Sequence, residues 1–336
     1  MKVLTTAPTS LRYEPATFLG EVRRLARWNE DAGIEGMLIY TDNTLIDPWT
    51  VAHVLLSEGS GRLRPLVAVQ PLYMTPYAAA RMISSLAFLH GRAMDLNMVA
   101  GGFVKDLQQL GDNTEHDARY ERLIEYTQIL QALLSGDNVT FEGAYYRVSN
   151  LRLSPALPPE LMPGIYLSGA SPACVEASAA LRAVRFSYTK PPAELEPQAP
   201  LPGAGHLGLR IGIIARKTAE EAWREALGRF PPDRRGQLAH RIARGTTDSI
   251  WHRQLSAYAD ELQNAQDGIY WLHPFRNYKT FCPYLVGTYE EVSSYLRRYE
   301  ALGYSHLILD VAASEEDLAH TMTSIEASRA ALVPVA

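Results

Sequence analysis

Eight short apolar runs, separated by longer amphipathic stretches, restrict the fold of this chain more than any other feature. Their composition predicts strands over Val3–Thr5, Met37–Tyr40, Arg64–Val69, Ala93–Val99, Gly164–Leu167, Ala183–Ser187, Leu209–Ile214 and Ser305–Asp310. The intervals read as helices. In "DARYERLIEYTQILQALLSG", 117–136, Tyr120, Leu123, Ile124, Thr127, Leu130 and Leu134 recur at helical spacing, and Gly136 suits the helix end. In "TYEEVSSYLRRYEALG", 288–303, Val292, Tyr295, Leu296, Tyr299 and Leu302 share one face. Strands alternating with helices make parallel βα units. Eight such units in 336 residues predict an α/β fold, a (β/α)8 TIM barrel in one domain, 1–336. An open doubly wound sheet is the competing arrangement.

Two stretches break the rhythm. "DNVTFEGAYYRVSNLRL", 137–153, reads as a β-hairpin inserted after the fourth helix. Residues 231–284 form a long insertion before the last helix–strand unit, rich in Tyr, Trp, His and Arg. In a barrel with its active site at the strand C-termini, such an insertion is expected to act as a lid. The segment 190–208 is too proline-rich for a full-length helix.

Charge and composition exclude several classes. The net charge is −5 and no Lys/Arg run stands out, so neither nucleic acid nor a membrane surface is an expected partner. The N-terminus has no signal-peptide apolar region and no apolar run reaches membrane length. Two cysteines, Cys174 and Cys282, make no disulfide framework, and a cytoplasmic location is expected. "GAGHLG", 203–208, matches a dinucleotide fingerprint, but a strand follows it where a helix should. No P-loop, no metal spacing of the H-E-x-x-H kind and no G-x-S-x-G elbow is present, so no metal site is expected.

One strand-to-helix junction stands out. In "GIYLSGASPACVEAS", 164–178, Ser171 suits an N-cap and Pro172 the first helical position. Two other helices open with acids, at "TYEEV" and "SEEDL", where Ser314 caps as Thr288 does. The helix after Ser171 has no acid before Glu176. Two readings follow: amides reserved for an outside anion such as phosphate, or a tight turn that needs small residues for packing. Cys174 reads as a small buried packing residue.

The whole chain resembles the bacterial luciferase-like flavin monooxygenases, most of all their alkanesulfonate monooxygenase branch. The resemblance rests on "GIEGMLIYTDNTLIDPW", "TPYAAARMISSLAFLHGRAMDLNMVAGG", "ARYERLIEYTQILQALL", "VTFEGAYYRV", "IYLSGAS", "LRIGIIARKTAEEAW" and "LVGTYEEVSSYLRRYEALG", in order and at the expected spacing. It implies a (β/α)8 barrel that takes reduced FMN from a separate flavin reductase and oxygenates a substrate through a C4a-peroxyflavin. By the same resemblance, Ser168, Gly169, Ala170 and Ser171 receive the flavin phosphate, and Tyr120 reaches it with its hydroxyl. Asn97, Ala100 and Gly101 match the ribityl and ring contacts of the fourth strand. Tyr40, Gln70 and Tyr188 are expected to face the ring. Related barrels use the deazaflavin F420 for hydride transfer, and a non-catalytic flavin-binding protein is a third reading. Family members are usually dimers or tetramers, so a homodimer or homotetramer is expected.

The departures concern the substrate. Leu45, Gly212 and Ala312 stand where the sulfonate enzymes have cysteine, histidine and tyrosine. Arg210 matches a family arginine and is the expected stabiliser of charge on oxygen or flavin. The mobile-loop arginine has no exact partner; Tyr278 aligns with it, and Arg276 is two residues away. Trp49 is a candidate pocket wall. These changes imply a larger, more apolar pocket. The expected substrate is a small organic molecule, a biosynthetic intermediate free or tethered to a carrier, rather than an alkanesulfonate.

Overall fold

The computed structural model describes residues 1–59, 61–188, 190–195, 206–246, 250–261 and 268–330. Eight strands close a barrel in the order Lys2–Thr6, Tyr304–Ile308, Leu207–Arg210, Val184–Ser187, Ile165–Ser168, Asp95–Met98, Arg64–Val69 and Gly36–Ile39. Every ladder assigned between these strands is parallel, as in Leu66 opposite Asp95 and Asn97 opposite Tyr166. A barrel strand overlaps each of the eight predicted strand positions, and the doubly wound alternative falls. The hairpin is present too, as Val139–Glu142 against Arg147–Leu151. Of "GAGHLG", residues 203–205 lie outside the described residues, while Leu207 and Gly208 belong to the seventh barrel strand.

The chain packs as two compact units. The first spans 7–185. Its helices Pro15–Asp31, Pro48–Ser57, Pro76–His90 and Pro172–Ala180 all carry proline at their start. There its fixed φ suits the helix and its missing N–H costs nothing. Asp47, Thr75 and Ser171 accept first-turn amides as N-caps of the last three. None of the four has an acid in its first turn. The missing acid after Ser171 is therefore shared, and does not single that helix out. In helix His116–Leu134, Leu123, Thr127, Leu130 and Leu134 are buried as predicted. Its Glu125 carboxylate accepts the amides of Ala144, Tyr145 and Tyr146 at 2.8, 2.9 and 3.0 Å, which ties the hairpin loop to the helix.

Arg92 is the main polar clasp of this unit. Its Nη1 donates to the carbonyls of Leu55, Leu56 and Glu58 at 3.1, 2.8 and 2.7 Å. Its Nη2 donates to Leu63 O at 2.9 Å. One guanidinium thus satisfies the last carbonyls of helix Pro48–Ser57 and the approach to strand Arg64–Val69.

The second unit comprises 1–6, 186–195 and 206–330 among the described residues. Leu209–Ile214 is not one strand: the barrel strand ends at Arg210, and Gly212–Arg216 starts a strand of a second sheet. That strand pairs in parallel with Tyr284–Thr288, which pairs antiparallel with Tyr270–Trp271. Leu209, Ile211, Ile213 and Ile214 are all at most 5% exposed, so hydrophobic pattern could not mark the break. The predicted lid also divides. Its helices are Arg234–Thr246, Ile250–Glu261 and the short His273–Arg276, but Trp271, Phe275, Cys282 and Tyr284 are core residues.

Replacing Arg92 with Met strands four carbonyls, and chemical denaturation should register a loss of about 3 kcal/mol; a loss within error would show that water serves them equally well. His306 is pushed down to about 4, first by burial and then by the positive charges of Lys2, His206 and the N-terminus. Its unfolded form protonates below about pH 6.5 while the folded form stays neutral, so stability should fall between about pH 6.5 and 4, by roughly 3 kcal/mol in total. His306→Gln should flatten that part of the pH–stability curve.

Candidate active site

The candidate residues form two groups, one in each unit. In 7–185 the clearest cluster surrounds the start of helix Pro172–Ala180. Ser171 Oγ accepts the Cys174 amide at 3.1 Å. The Tyr120 hydroxyl engages the side chains of both Ser171 and Cys174. Gly169 is held by close approach: a Cβ there would lie 2.8 Å from Cys174 Sγ and 3.1 Å from the Tyr120 hydroxyl. Arg185 Nη1 donates to Gly169 O at 3.4 Å. Burial pushes the Tyr120 hydroxyl upward, so it stays a protonated donor. Burial also raises the Cys174 thiol to about 11, which keeps it protonated and agrees with a packing role.

This cluster has the inventory that a phosphate monoester needs. It offers two hydroxyls, a guanidinium and a helix N-terminus, with no carboxylate in the helix's first turn. Pro172 has no N–H and the Cys174 amide is taken by Ser171, which leaves Ala170, Ser171 and Ala173 as the backbone donors at this end. The flavin phosphate therefore fits the residues present. Cys174 and Arg185 are members that the sequence reading did not include. Arg185 leaves only a weak signal in sequence, as a basic residue inside the next strand.

The other candidates of this unit lie at strand ends. Asn97, 6% exposed, accepts a hydrogen bond from Ser168 Oγ at 3.3 Å, so the fourth and fifth strands share a polar contact. Gln70 and Ala100 are buried just past their strands, and Tyr40 is half-buried after Gly36–Ile39. Gly101 adopts φ +98°, and a Cβ there would meet Leu107 Cδ2 at 2.8 Å. Leu45 sits in a turn in which its amide donates to Asp42 Oδ1 at 3.0 Å. Trp49 is 4% exposed on the first turn of its helix, a packing residue of that unit.

In the second unit, Arg210 is the centre of a buried network. Its guanidinium lies 5.7 Å from the Tyr188 ring centroid, donates to Thr6 Oγ1 at 3.4 Å and also engages Cys282. Burial is the largest influence on it and lowers its pKa, with Cys282 and Asp310 acting the other way. Tyr284 donates to Asp310 Oδ2 at 2.8 Å, and burial followed by the Asp310 charge raises its pKa. Burial and then Asp310 push Cys282 up to about 12. The arrangement is a fixed cation with a nearby acid in a low-dielectric setting, able to stabilise developing negative charge. Cys282, Tyr284 and Asp310 were missed as site residues. Asp310 had a signal: an acid at the C-terminal end of a predicted barrel strand.

Gly212 and Ala312 do line one cavity, together with Tyr284, Asp310, Asp317 and Thr321. Its volume is about 20 Å³, room for one water, and its lining is charged. The larger apolar pocket expected at these two positions is not what the structure holds. The Tyr284 ring, opposite Gly212 in the sheet, fills the space where a Cβ at 212 would go. Arg276 ends helix His273–Arg276 and is half-buried. Tyr278 takes φ +54°, uncommon for a residue with a Cβ, and its ring lies 5.6 Å from Phe281. Among the described residues no group of His, Cys, Asp and Glu could hold a metal ion.

Gly212→Ala should lower stability by about 2 kcal/mol through overpacking against Tyr284. The loss should shrink in a Tyr284→Leu background, and a denaturant double-mutant cycle reads that coupling. Strict additivity would refute the steric account.

Comparison with known proteins bears on this geometry. A family model described as luciferase-like monooxygenase matches residues 1–306. The 4-(gamma-L-glutamylamino)butanoyl-[BtrI acyl-carrier protein] monooxygenase BtrO of Niallia circulans is 36% identical over 311 residues, covering 90% of this chain and 89% of the relative. Among solved structures, riboflavin lyase RcaE with modified FMN and riboflavin superposes with a TM-score of 0.76 at 16% identity, over 99% of this chain and 91% of that one. An F420-dependent secondary alcohol dehydrogenase with an F420–acetone adduct gives 0.66 at 14% identity, over 98% and 99%.

Proposed function

This chain belongs to the luciferase-like monooxygenase family, and from that premise we propose that it is an FMN-dependent two-component monooxygenase acting on an acyl group tethered to a carrier protein, in a biosynthetic pathway. The observation that carries the cofactor half of this reading is the packing of Tyr120, Gly169 and Ser171 at one helix start. The carrier half draws on the substrate of the 36% identical relative. Reduced FMN, when bound, supplies the two electrons with which dioxygen inserts one oxygen atom into the substrate and releases the other as water.

The chain's own residues divide the remaining work. Ser168–Ser171 and the Tyr120 hydroxyl hold the phosphate, with Arg185 adding positive charge. Asn97, Ala100, Gly101, Tyr40 and Gln70 contact the rest of the flavin from the same unit. In the other unit the Tyr188 ring covers the buried Arg210 guanidinium and helps keep it from water, which strengthens its action on developing charge. Arg276 and Tyr278 act from the insertion, and Leu45 contributes to substrate choice. The reductant comes from a separate flavin reductase, and the enzyme works in the cytoplasm as a homodimer or homotetramer. No helix among the described residues is long and apolar enough to cross a membrane.

The likeness to an F420 enzyme makes deazaflavin hydride transfer the second reading. Anaerobic titration with reduced FMN, with F420 in parallel, separates the two. Wild type should prefer reduced FMN. Tyr120→Phe and Ser171→Ala should each weaken binding about tenfold, the scale of one hydrogen bond to a charged group. Thermal melting of Ser171→Ala measures the separate cost of the lost N-cap. Preference for F420, or flavin affinity indifferent to both substitutions, would overturn the reading.

A further inference from the structure

Helix Arg234–Thr246, in the insertion, has the sequence "RRGQLAHRIARGT", with four arginines and no acid. In a chain of net charge −5 this is a local reversal of sign. The arginines fall as one adjacent pair and two single residues, which is why no basic run stands out in the sequence. The fold sorts them by face. The inward face carries Gly236, where a Cβ would collide with the Asn277 carbonyl, and His240, which packs edge-on to Phe275 at 4.7 Å. Gln237 Nε2 donates to Asn277 Oδ1 at 3.0 Å. The outward face presents Arg234, Arg235 and Arg241, with Leu238 and Ile242 exposed by 53% and 60%. The adjacent acid, Asp233, is committed elsewhere: it accepts the amides of Arg235 and Gly236 and pairs with Lys279.

The geometry points to the outward face of this helix as the docking surface for the acidic acyl carrier protein that delivers the substrate. The assignment rests on the carrier-tethered reading above and adds where the carrier binds. Two apolar side chains bordered by three arginines suit a partner with an acidic rim and a small apolar contact. The arginines steer encounter, and Leu238 with Ile242 supply the centre that loses water. A nucleic acid backbone would use the arginines but has no use for the apolar pair. The inward face of the same helix packs on the turn that carries Arg276 and Tyr278, since His240 also lies 6.3 Å from the Tyr278 ring. A carrier seated outside therefore presses on the element that holds two candidate active-site residues.

The test is calorimetric titration with phosphopantetheinylated BtrI carrier protein at low and high salt. Wild type should bind, and more weakly as salt rises. The charge reversal R234E/R235E/R241E should cost at least about tenfold and remove most of the salt dependence. L238S/I242S should weaken binding with the salt dependence intact. R224E, an exposed arginine on helix Ala219–Arg229 of the same unit, should bind as wild type does. All variants should titrate with reduced FMN as wild type does, so loss of docking is read apart from the flavin reading. The assignment is overturned if wild type does not bind the carrier, if the triple reversal binds unchanged, or if R224E loses as much. Duplex DNA bound by wild type more tightly than the carrier, and lost in R234E/R235E/R241E, would overturn it in favour of a nucleic acid surface.

Discussion

Two successive backbone amides set the layout around Arg210. The Ile211 N–H donates to Ile308 O at 3.1 Å, inside the barrel, and the Gly212 N–H donates to Pro283 O at 2.8 Å, in the second sheet. The chain changes sheets between one residue and the next. Arg210 is left as the last residue of a barrel strand, and Gly212 lies beside Tyr284. Because Gly212 lacks a Cβ, the Tyr284 ring can lie over the strand and its hydroxyl can reach Asp310. The buried cation, the aromatic and the acid are therefore consequences of one backbone switch. Any side chain at 212 would disturb all three.

The other unit uses the same economy at Gly169. There the missing Cβ admits Cys174 and the Tyr120 hydroxyl, and Ser171 caps the helix with its own oxygen. A turn built only for packing would need the small residues but not the hydroxyl at that spot. The donors gathered there are what the proposed phosphate site rests on. The absence of a first-turn acid, in contrast, turned out to be a property of four proline-started helices rather than of this one.

Much of the fold was legible because it depends on local pattern. Eight apolar runs sit where eight barrel strands lie, and the 137–153 hairpin was marked by its turn residues. Helix starts were legible at Ser171, Thr288 and Ser314, whose side chains accept the amides of Cys174, Glu291 and Asp317. The strand break at Ile211 was not legible, since Leu209, Ile211, Ile213 and Ile214 continue one buried apolar run across it. The sequence predicts a lid over 231–284, and within it Trp271, Phe275 and Cys282 pack into the core. Their aromatic and thiol character was visible, but which neighbours would cover them was not.

The sequence by itself determined the alternation of strand and helix, the barrel class, the capped helix starts and the family of the chain, because each is written in residue type and short-range spacing. The tertiary structure decided which distant groups meet: Tyr120 with Ser171, Arg210 with Tyr188 and Cys282, Tyr284 with Asp310. It also decided that the space at Gly212 belongs to an aromatic ring, and that scattered arginines share one face of an insertion helix. Those outcomes depend on burial and on side-chain direction across long separations in sequence, and no local pattern encodes them.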